Sequence, residues 1–419
     1  MGNSVSEAAN EPPLTTAHVP EPENKKRVHL PYLDALRGLA ALVVVLHHAY
    51  GYAIGDRIWQ FPSVFHRPYH LMLYAHYAVD VFIVLSGYCL MLPVVLSNSG
   101  QLPGGLGGFL KRRARRILPP YYLALALSVA VVVGVSRLQA RGFGAGEPIE
   151  ALTAGGILSH LLMVHNLSGA WAGQANAALW SVATEWQIYF FFPLLLLPLW
   201  KRFGMAAAVG GSAAVGILPL LLYPPLHHAL EQACPWYLVL FALGMAAASL
   251  NYSERGWAAP LRKALPWRFL PVILLVGTAV LFKGLSGSRN HLLTDPVVGL
   301  LVGVFLAYCT WEVQARTASG AKGLLTRLLE ARLLVWLGSF SYSVYLVHLP
   351  LQLVMRAVAP PAAFSPAVQF LVVIPAQILL TYALSYGFFL VCERPFLQRR
   401  PLEKSPVPAA VSGTSFYPA

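Results

Sequence analysis

Asp34, Arg37 and His48 fall on one stripe of a strongly apolar stretch, Leu33-Asp34-Ala35-Leu36-Arg37-Gly38 running on to His47-His48. On a helix turning about 100° per residue, Arg37 and His48 lie within about 20° of each other and about 16 Å apart along the axis. Asp34 falls about 40° from His48 on the same side, and His47 points about 80° away. Ionisable groups in a row on a lipid-embedded helix are costly, so they read first as a functional site. An imidazole there can take a proton as general base or serve as a nucleophile. The helical phase selects His48 over His47 for that role, with Arg37 nearer the helix start and Asp34 placed to orient Arg37.

Three further segments carry chemistry. Val79-Asp80-Val81-Phe82-Ile83-Val84-Leu85-Ser86-Gly87-Tyr88 sets Asp80 and Gly87 on one helix face, where a buried carboxylate meets a neighbouring helix closely. Asp80 there is either half of a structural salt bridge or part of the reacting site. Lys111-Arg112-Arg113-Ala114-Arg115-Arg116 packs five cations into six residues. Arg113 and Arg116, at i and i+3, can grip phosphate oxygens bidentately, as in a nucleotide-like polyphosphate such as coenzyme A. The plainer reading is a topology signal that also binds anionic lipid. In Trp180-Ser181-Val182-Ala183-Thr184-Glu185-Trp186-Gln187-Ile188-Tyr189, the residues Ser181, Glu185 and Tyr189 form a polar stripe at four-residue spacing. It suits hydrogen bonding to a hydroxylated acceptor, and equally well the joining of helices. His348, among Ser341, Tyr342, Ser343 and Tyr345, is a candidate for lining an acceptor cavity. His66 and His70 stand at i,i+4, but Pro68 is expected to interrupt any helix there and no Cys or carboxylate completes a ligand set, so no metal site is expected. His227-His228 reads as a wet loop. No Gly-x-Ser-x-Gly elbow occurs to support a serine hydrolase.

The elements that must position these groups are membrane helices. Of 419 residues 57% are hydrophobic and 11% charged, with a mean hydropathy of +0.59, against about 25% charged in a soluble domain. Apolar runs near 20 residues predict ten spans, at 36–55, 71–97, 117–136, 178–199, 203–223, 234–250, 268–284, 294–312, 333–357 and 366–392; the stretch 152–165 is too short to cross and is expected at the outer face. With the N-terminus in the cytoplasm, 22 of the 30 Lys and Arg residues fall on the cytoplasmic side and 7 on the outer side, Arg37 being the last. That bias predicts cytoplasmic termini and accounts for the net charge of +13 without a nucleic-acid partner. The expected fold is therefore an all-α polytopic bundle, with a membrane domain over 31–397 between disordered cytoplasmic tails, 1–30 and 398–419. The N-terminal tail lacks the pattern of a cleaved signal peptide, although Met1-Gly2-Asn3-Ser4-Val5-Ser6 fits a myristoylation motif. Cys89, Cys234, Cys309 and Cys392 are expected to remain thiols, since they fall within or at the ends of spans. The sequon Asn166-Leu167-Ser168 abuts a membrane-proximal element and is read as packing.

The motifs together resemble the acyltransferase-3 family of integral membrane O-acyltransferases, which includes bacterial O-antigen acetylases. The matching segments are Leu33 to Gly38 with His48 (an Arg, ten residues, then His), Val79 to Tyr88, Lys111 to Tyr122, Trp180 to Tyr189, Gly338 to Pro350 and Glu393-Arg394-Pro395-Phe396. They occur in family order from residue 33 to 396. The resemblance implies about ten helices and transfer of an acyl group, acetyl by family weight, from cytoplasmic acyl-CoA to a hydroxyl of an extracytoplasmic acceptor, most often a cell-surface glycan. It also implies a bacterial inner-membrane location and no permanently bound cofactor. Arg37 and His48 then correspond to required positions, and Arg113 and Arg116 to the family's Arg-x-x-Arg. The doubled His47-His48 departs from the pattern, and the esterase-like domain of some relatives is not expected, which leaves acceptor handling to the membrane domain or a partner. Two alternatives stay open: a small secreted metabolite such as a macrolide as acceptor, and a proton-coupled transporter built on Asp34, Arg37, Asp80 and Glu185. The second leaves the Lys111–Arg116 cluster without a role.

Overall fold

The computed structural model describes residues 30–97, 100–141, 151–254, 256–285, 290–319, 323–360 and 363–397. The predicted tails, with the Met1–Ser6 motif, lie outside these residues apart from Leu30. Among the described residues the regular structure is helical, with no strand. In chain order the principal helices are α1 (Pro31–Ile54), α2 (His76–Leu96), α3 (Gly105–Ala140), α4 (Leu179–Phe203), α5 (Met205–Leu222), the pair α6 (Pro224–Ala233) and α7 (Tyr237–Tyr252), α8 (Leu270–Leu285), α9 (His291–Ser319), the pair α10 (Arg332–Ser339) and α11 (Ser341–Val358), and α12 (Pro366–Phe396). Seven of these are long and apolar enough to cross a bilayer, and the two pairs, bent by 62° and 67°, bring the number to nine if each is one span. The fold is a polytopic transmembrane helical bundle. Its outward faces carry large apolar side chains, such as Leu222 at 74%, Leu275 at 71% and Val391 at 74% exposure, a surface that water would not support.

Nine of the ten predicted segments coincide with these helices or pairs. The exception is 268–284, where α8 forms in the expected place but has only 16 residues, too few to pass as a span among the described residues. At 1.5 Å per residue it is about 24 Å long, less than the roughly 30 Å hydrocarbon core. The stretch 152–165 forms an eight-residue helix, Ala154–Leu161, capped by the Thr153 hydroxyl accepting from the Gly156 amide at 3.0 Å; it is too short to cross. Asn166 beside it is fully buried and donates to the Thr184 hydroxyl and the Gln187 side-chain oxygen, at 3.0 and 3.2 Å, so the sequon asparagine is a packing residue. All four cysteines are thiols. The expected break at Pro68 does not occur: His66–Met72 is helical, because proline in a first turn removes only an amide that has no intrahelical acceptor.

Two crossings set the geometry of the site. Helix α2 lies against α7 so closely that a Cβ on Gly87 would stand 2.0 Å from the Phe241 carbonyl oxygen, and one on Gly244 2.1 Å from that of Val84. Helix α1 meets α10 in the same way, Gly338 having room for no side chain over the Asp34 carbonyl. With no hydrophobic drive between helices in lipid, such small-residue contacts allow the backbones to pack. The α10–α11 break lies at Phe340 (φ −127°, ψ 18°), whose fully buried ring packs with Ala41, Val45 and Val344. Ser341 then donates to the freed Gly338 carbonyl at 2.9 Å, and α11 starts beside the middle of α1.

Candidate active site

On α1, Asp34 and Arg37 pair as their i,i+3 spacing predicts. Arg37 donates to Asp34 Oδ1 at 3.0 Å and, through its other terminal nitrogen, to Cys89 Sγ on α2 at 3.0 Å. The guanidinium is thereby held across the α1–α2 seam, facing a cavity of about 240 Å³. Arg113 and Arg116 line the same cavity from α3, and Ser181, Glu185 and Tyr189 from α4; α2 supplies Val79, Phe82, Ser86 and Cys89, and α11 supplies Ser341, Tyr342 and Tyr345. The basic cluster is thus divided. Arg112 turns away to donate to the Pro103 carbonyl, Lys111 and Arg115 are exposed, and only Arg113 and Arg116 face inward. The Arg113 Nε is buried without a hydrogen-bond partner, as a guanidinium awaiting an anionic ligand would be. Pro119 and Pro120 follow within α3 and free the carbonyls of Arg115 and Arg116 from the helix ladder; the Tyr342 hydroxyl donates to the nearby Ile117 carbonyl at 3.2 Å.

On the opposite wall the polar stripe of α4 closes into a chain. Tyr189 donates to Glu185 Oε1 at 2.6 Å, Ser86 pairs with the Tyr189 hydroxyl at 3.0 Å, and Ser181 pairs with the Tyr345 hydroxyl at 2.6 Å. The stripe therefore joins helices, and it also lines the cavity.

His48 and His348 do not line that cavity. They meet each other beyond it, His348 Nε2 standing 3.2 Å from His48 Nδ1. Backbone carbonyls decide their tautomers. His48 Nδ1 lies 3.0 Å from the Val44 oxygen and His348 Nδ1 lies 2.8 Å from that of Tyr345. A carbonyl only accepts, so both rings carry their proton on Nδ1. The His348 Nε2 lone pair then faces His48 Nδ1–H, and the basic lone pair of His48 is left on Nε2. His47 turns elsewhere, its Nδ1 2.8 Å from the Met72 carbonyl. Tyr345 connects the two parts: its hydroxyl is on the cavity wall and its ring centroid is 5.7 Å from that of His348.

Asp80 is the predicted residue that the structure moves out of this site. It shares the Gly87 face, as expected, but that face is the one against α7, whereas the cavity takes the other face of α2 at Val79, Phe82, Ile83, Ser86 and Cys89. Nor is it in a salt bridge, since both its oxygens are buried without a hydrogen-bond partner. Near it stand His76, His291 and Asp295, which the sequence reading passed over because α2 and α9 are far apart in the chain. Cys89, Tyr342 and Tyr345 were also missed as cavity residues; the 3.6-residue rhythm Val79, Phe82, Ser86, Cys89 would have revealed the first. The late motif Glu393 to Phe396 has a structural explanation: buried Glu393 accepts from Ser343 on α11 and ties α12 to it.

Comparison with known proteins shows the family of the chain. Over 342 residues the chain is 26% identical to the "Putative peptidoglycan O-acetyltransferase YrhL" of Bacillus subtilis, covering 77% of this chain and 48% of that protein. It is 26% identical over 355 residues to the peptidoglycan O-acetyltransferase OatA of Listeria monocytogenes, covering 78% and 50%. A third relative is the "Putative membrane-bound transacylase BcsY" of Komagataeibacter xylinus, 28% identical over 349 residues and covering 78% and 73%. The chain spans about half the length of the first two. No solved structure matches it. The acyltransferase-domain profile of the acyltransferase-3 family matches residues 30–388, nearly the whole helical bundle, and the chain belongs to that family of integral membrane proteins.

Proposed function

We propose that this protein is an O-acyltransferase that moves an acyl group, acetyl by analogy with its relatives, from acyl-CoA to a hydroxyl of a cell-envelope glycan at a bacterial inner membrane. The observation that carries the reading is the cavity lined by Arg37, Arg113 and Arg116 and joined through Tyr345 and His348 to His48, whose basic lone pair is on Nε2. At about 240 Å³ the cavity is smaller than the roughly 300–1,000 Å³ that encloses a drug-sized ligand. It suits the slender arm of coenzyme A, with the phosphates held at its mouth by Arg113 and Arg116. Ser341, first residue of α11, lines the same cavity, where the helix dipole also favours negative charge. On the positive-inside reading this mouth is cytoplasmic and His48 lies on the way to the outer face.

The arm passes Tyr345 and presents its thioester to His48. Nε2 takes the proton of the acceptor hydroxyl as the oxygen attacks the thioester carbonyl, forming the C–O bond. The tetrahedral intermediate then breaks its C–S bond, and the departing coenzyme A thiolate takes the proton back from His48. His348 holds the His48 ring by accepting from Nδ1–H.

The test uses the full chain in lipid nanodiscs with acetyl-CoA and a soluble peptidoglycan fragment, following coenzyme A release and acetylated product. His48→Ala should lower turnover by about 10²–10⁴-fold, whereas His47→Ala should leave most of it. Wild-type turnover in His48→Ala would remove the assignment. Accumulation of an acetylated His48 on rapid quenching would replace the general-base route by a nucleophilic one.

A further inference from the structure

We propose that His76, His291 and Asp295 form a binding site for a divalent transition metal ion, Zn²⁺ by ligand type, at the ends of α2 and α9 and apart from the arginine-lined cavity. One ligating atom from each of the three lies within 4.8 Å of the other two. His76 Nε2 is 3.0 Å from Asp295 Oδ2, and His291 Nδ1 is 3.4 Å from Asp295 Oδ1. A tetrahedral zinc site with bonds near 2.0–2.1 Å sets its ligand atoms about 3.3 Å apart, so one ion between them needs only small side-chain rotations.

Several observations beyond the clustering point to a cation. The buried His291 Nδ1 stands 3.4 Å from Asp295 Oδ1 without a well-formed hydrogen bond, so nitrogen and carboxylate can turn together toward one ion. Asp295 is fully buried, and its Oδ2 accepts from the indole N–H of Trp236 at 2.7 Å, the kind of outer contact that orients a ligating carboxylate. Asp80, one helical turn from His76 on the same face of α2, is fully buried and both its oxygens lack partners. A buried carboxyl so near Asp295 is either neutral or offset by positive charge, and a doubly charged ion between two imidazoles would supply that charge.

His291 and Asp295 stand at i,i+4 in the first turns of α9, and therefore on one face; His76 begins α2. The ion would thus clamp α2 to α9. The side chains of His76 and His291 are 24% and 34% exposed, which leaves an open edge for water or an oxygen ligand. The mixed nitrogen and oxygen set favours zinc and its first-row neighbours over magnesium or calcium.

The experiment takes the full chain in nanodiscs, stripped with a chelator and re-equilibrated with Zn²⁺ or Co²⁺ alone. Metal content is read by mass spectrometry and Co²⁺ geometry by its visible absorption. About one equivalent per chain should bind, with the intense bands of four- or five-coordinate cobalt. His291→Gln, His76→Gln and Asp295→Asn should each weaken binding by at least about 10–100-fold, while His227→Gln should not. Should Asp295→Asn fail to fold, the half-exposed His291→Gln still decides. Absence of stoichiometric metal in the wild type, or unchanged binding in His291→Gln, would overturn the proposal.

Discussion

At the scale of single residues, the site rests on how side chains divide among faces. The five cations between Lys111 and Arg116 divide among three surroundings: Lys111 and Arg115 are exposed, Arg112 bonds the Pro103 carbonyl, and only Arg113 and Arg116 enter the cavity. Replacing both by alanine should raise the KM for acetyl-CoA by at least about 10-fold, since each charge-assisted hydrogen bond lost is worth roughly 1.5–3 kcal/mol. Arg112→Ala plus Arg115→Ala should leave it within about 3-fold. Steady-state kinetics on both double variants decides, and equal effects would mean that net charge at the surface is what counts. Asp34, Arg37 and His48 were legible because a helix repeats every 3.6 residues. Tyr342 and Tyr345 were not, because their place on the cavity depends on which helices become neighbours.

At the scale of elements, the glycine crossings hold the stripe of α1 and the cavity face of α2 in register. Gly87→Val would force its Cβ into the Phe241 carbonyl, and the helices would have to part. We expect a loss of about 1–3 kcal/mol or more, seen as a lower unfolding temperature in detergent, whereas Gly134→Ala, which meets nothing, should be neutral. An unchanged unfolding temperature for Gly87→Val would show that α2 and α7 can separate freely. The short helix Ala154–Leu161 and the turn after it carry a second device. His160 and His165 stack with centroids 3.8 Å apart, both fully buried. Burial pushes the His165 imidazole down to about 3, with the neighbouring His160 adding to the shift, and burial lowers His160 as well. In the unfolded chain both would titrate near 6.5, so below that pH the unfolded state binds more protons than the folded one. Stability should be full above about pH 6.5 and fall as the pH drops from there toward about 3. Unfolding temperatures at pH 7.5 and pH 5 test this, and His165→Phe should flatten the difference.

At the scale of the whole molecule, charge bias assigns the Arg115 end of α3 to the cytoplasm and the turn around Trp59 to the outside. Trp59 is 74% exposed and Arg115 is also exposed. In a cysteine-depleted chain, Trp59→Cys should react with a membrane-impermeant maleimide in intact cells, and Arg115→Cys only after permeabilisation. The reverse pattern would turn the proposed donor side to the outside. The proposed zinc clamp lies near Trp180, whose ring stacks with that of His76 at 6.4 Å, so it sits next to the start of the α4 polar stripe.

Composition and hydropathic period alone determined that this chain is a bundle of membrane helices. They also located nine of its ten apolar segments, because in lipid every backbone amide must be satisfied within its own helix. The eighth helix, Leu270–Leu285, forms where its apolar segment lies but is too short to cross the hydrocarbon core unaided. The local stripes Asp34–Arg37–His48 and Ser181–Glu185–Tyr189 were equally determined, since contacts at i,i+3 and i,i+4 are fixed by helical geometry. Only the tertiary structure decided that His48 meets His348 across 300 residues, that Tyr345 separates them from the arginines, and that Asp80 faces His76 and Asp295 rather than the cavity. Those outcomes depend on which helix faces are brought together by crossings at Gly38–Gly338 and Gly87–Gly244, and pairing between distant helices leaves no periodic trace in the sequence of either one.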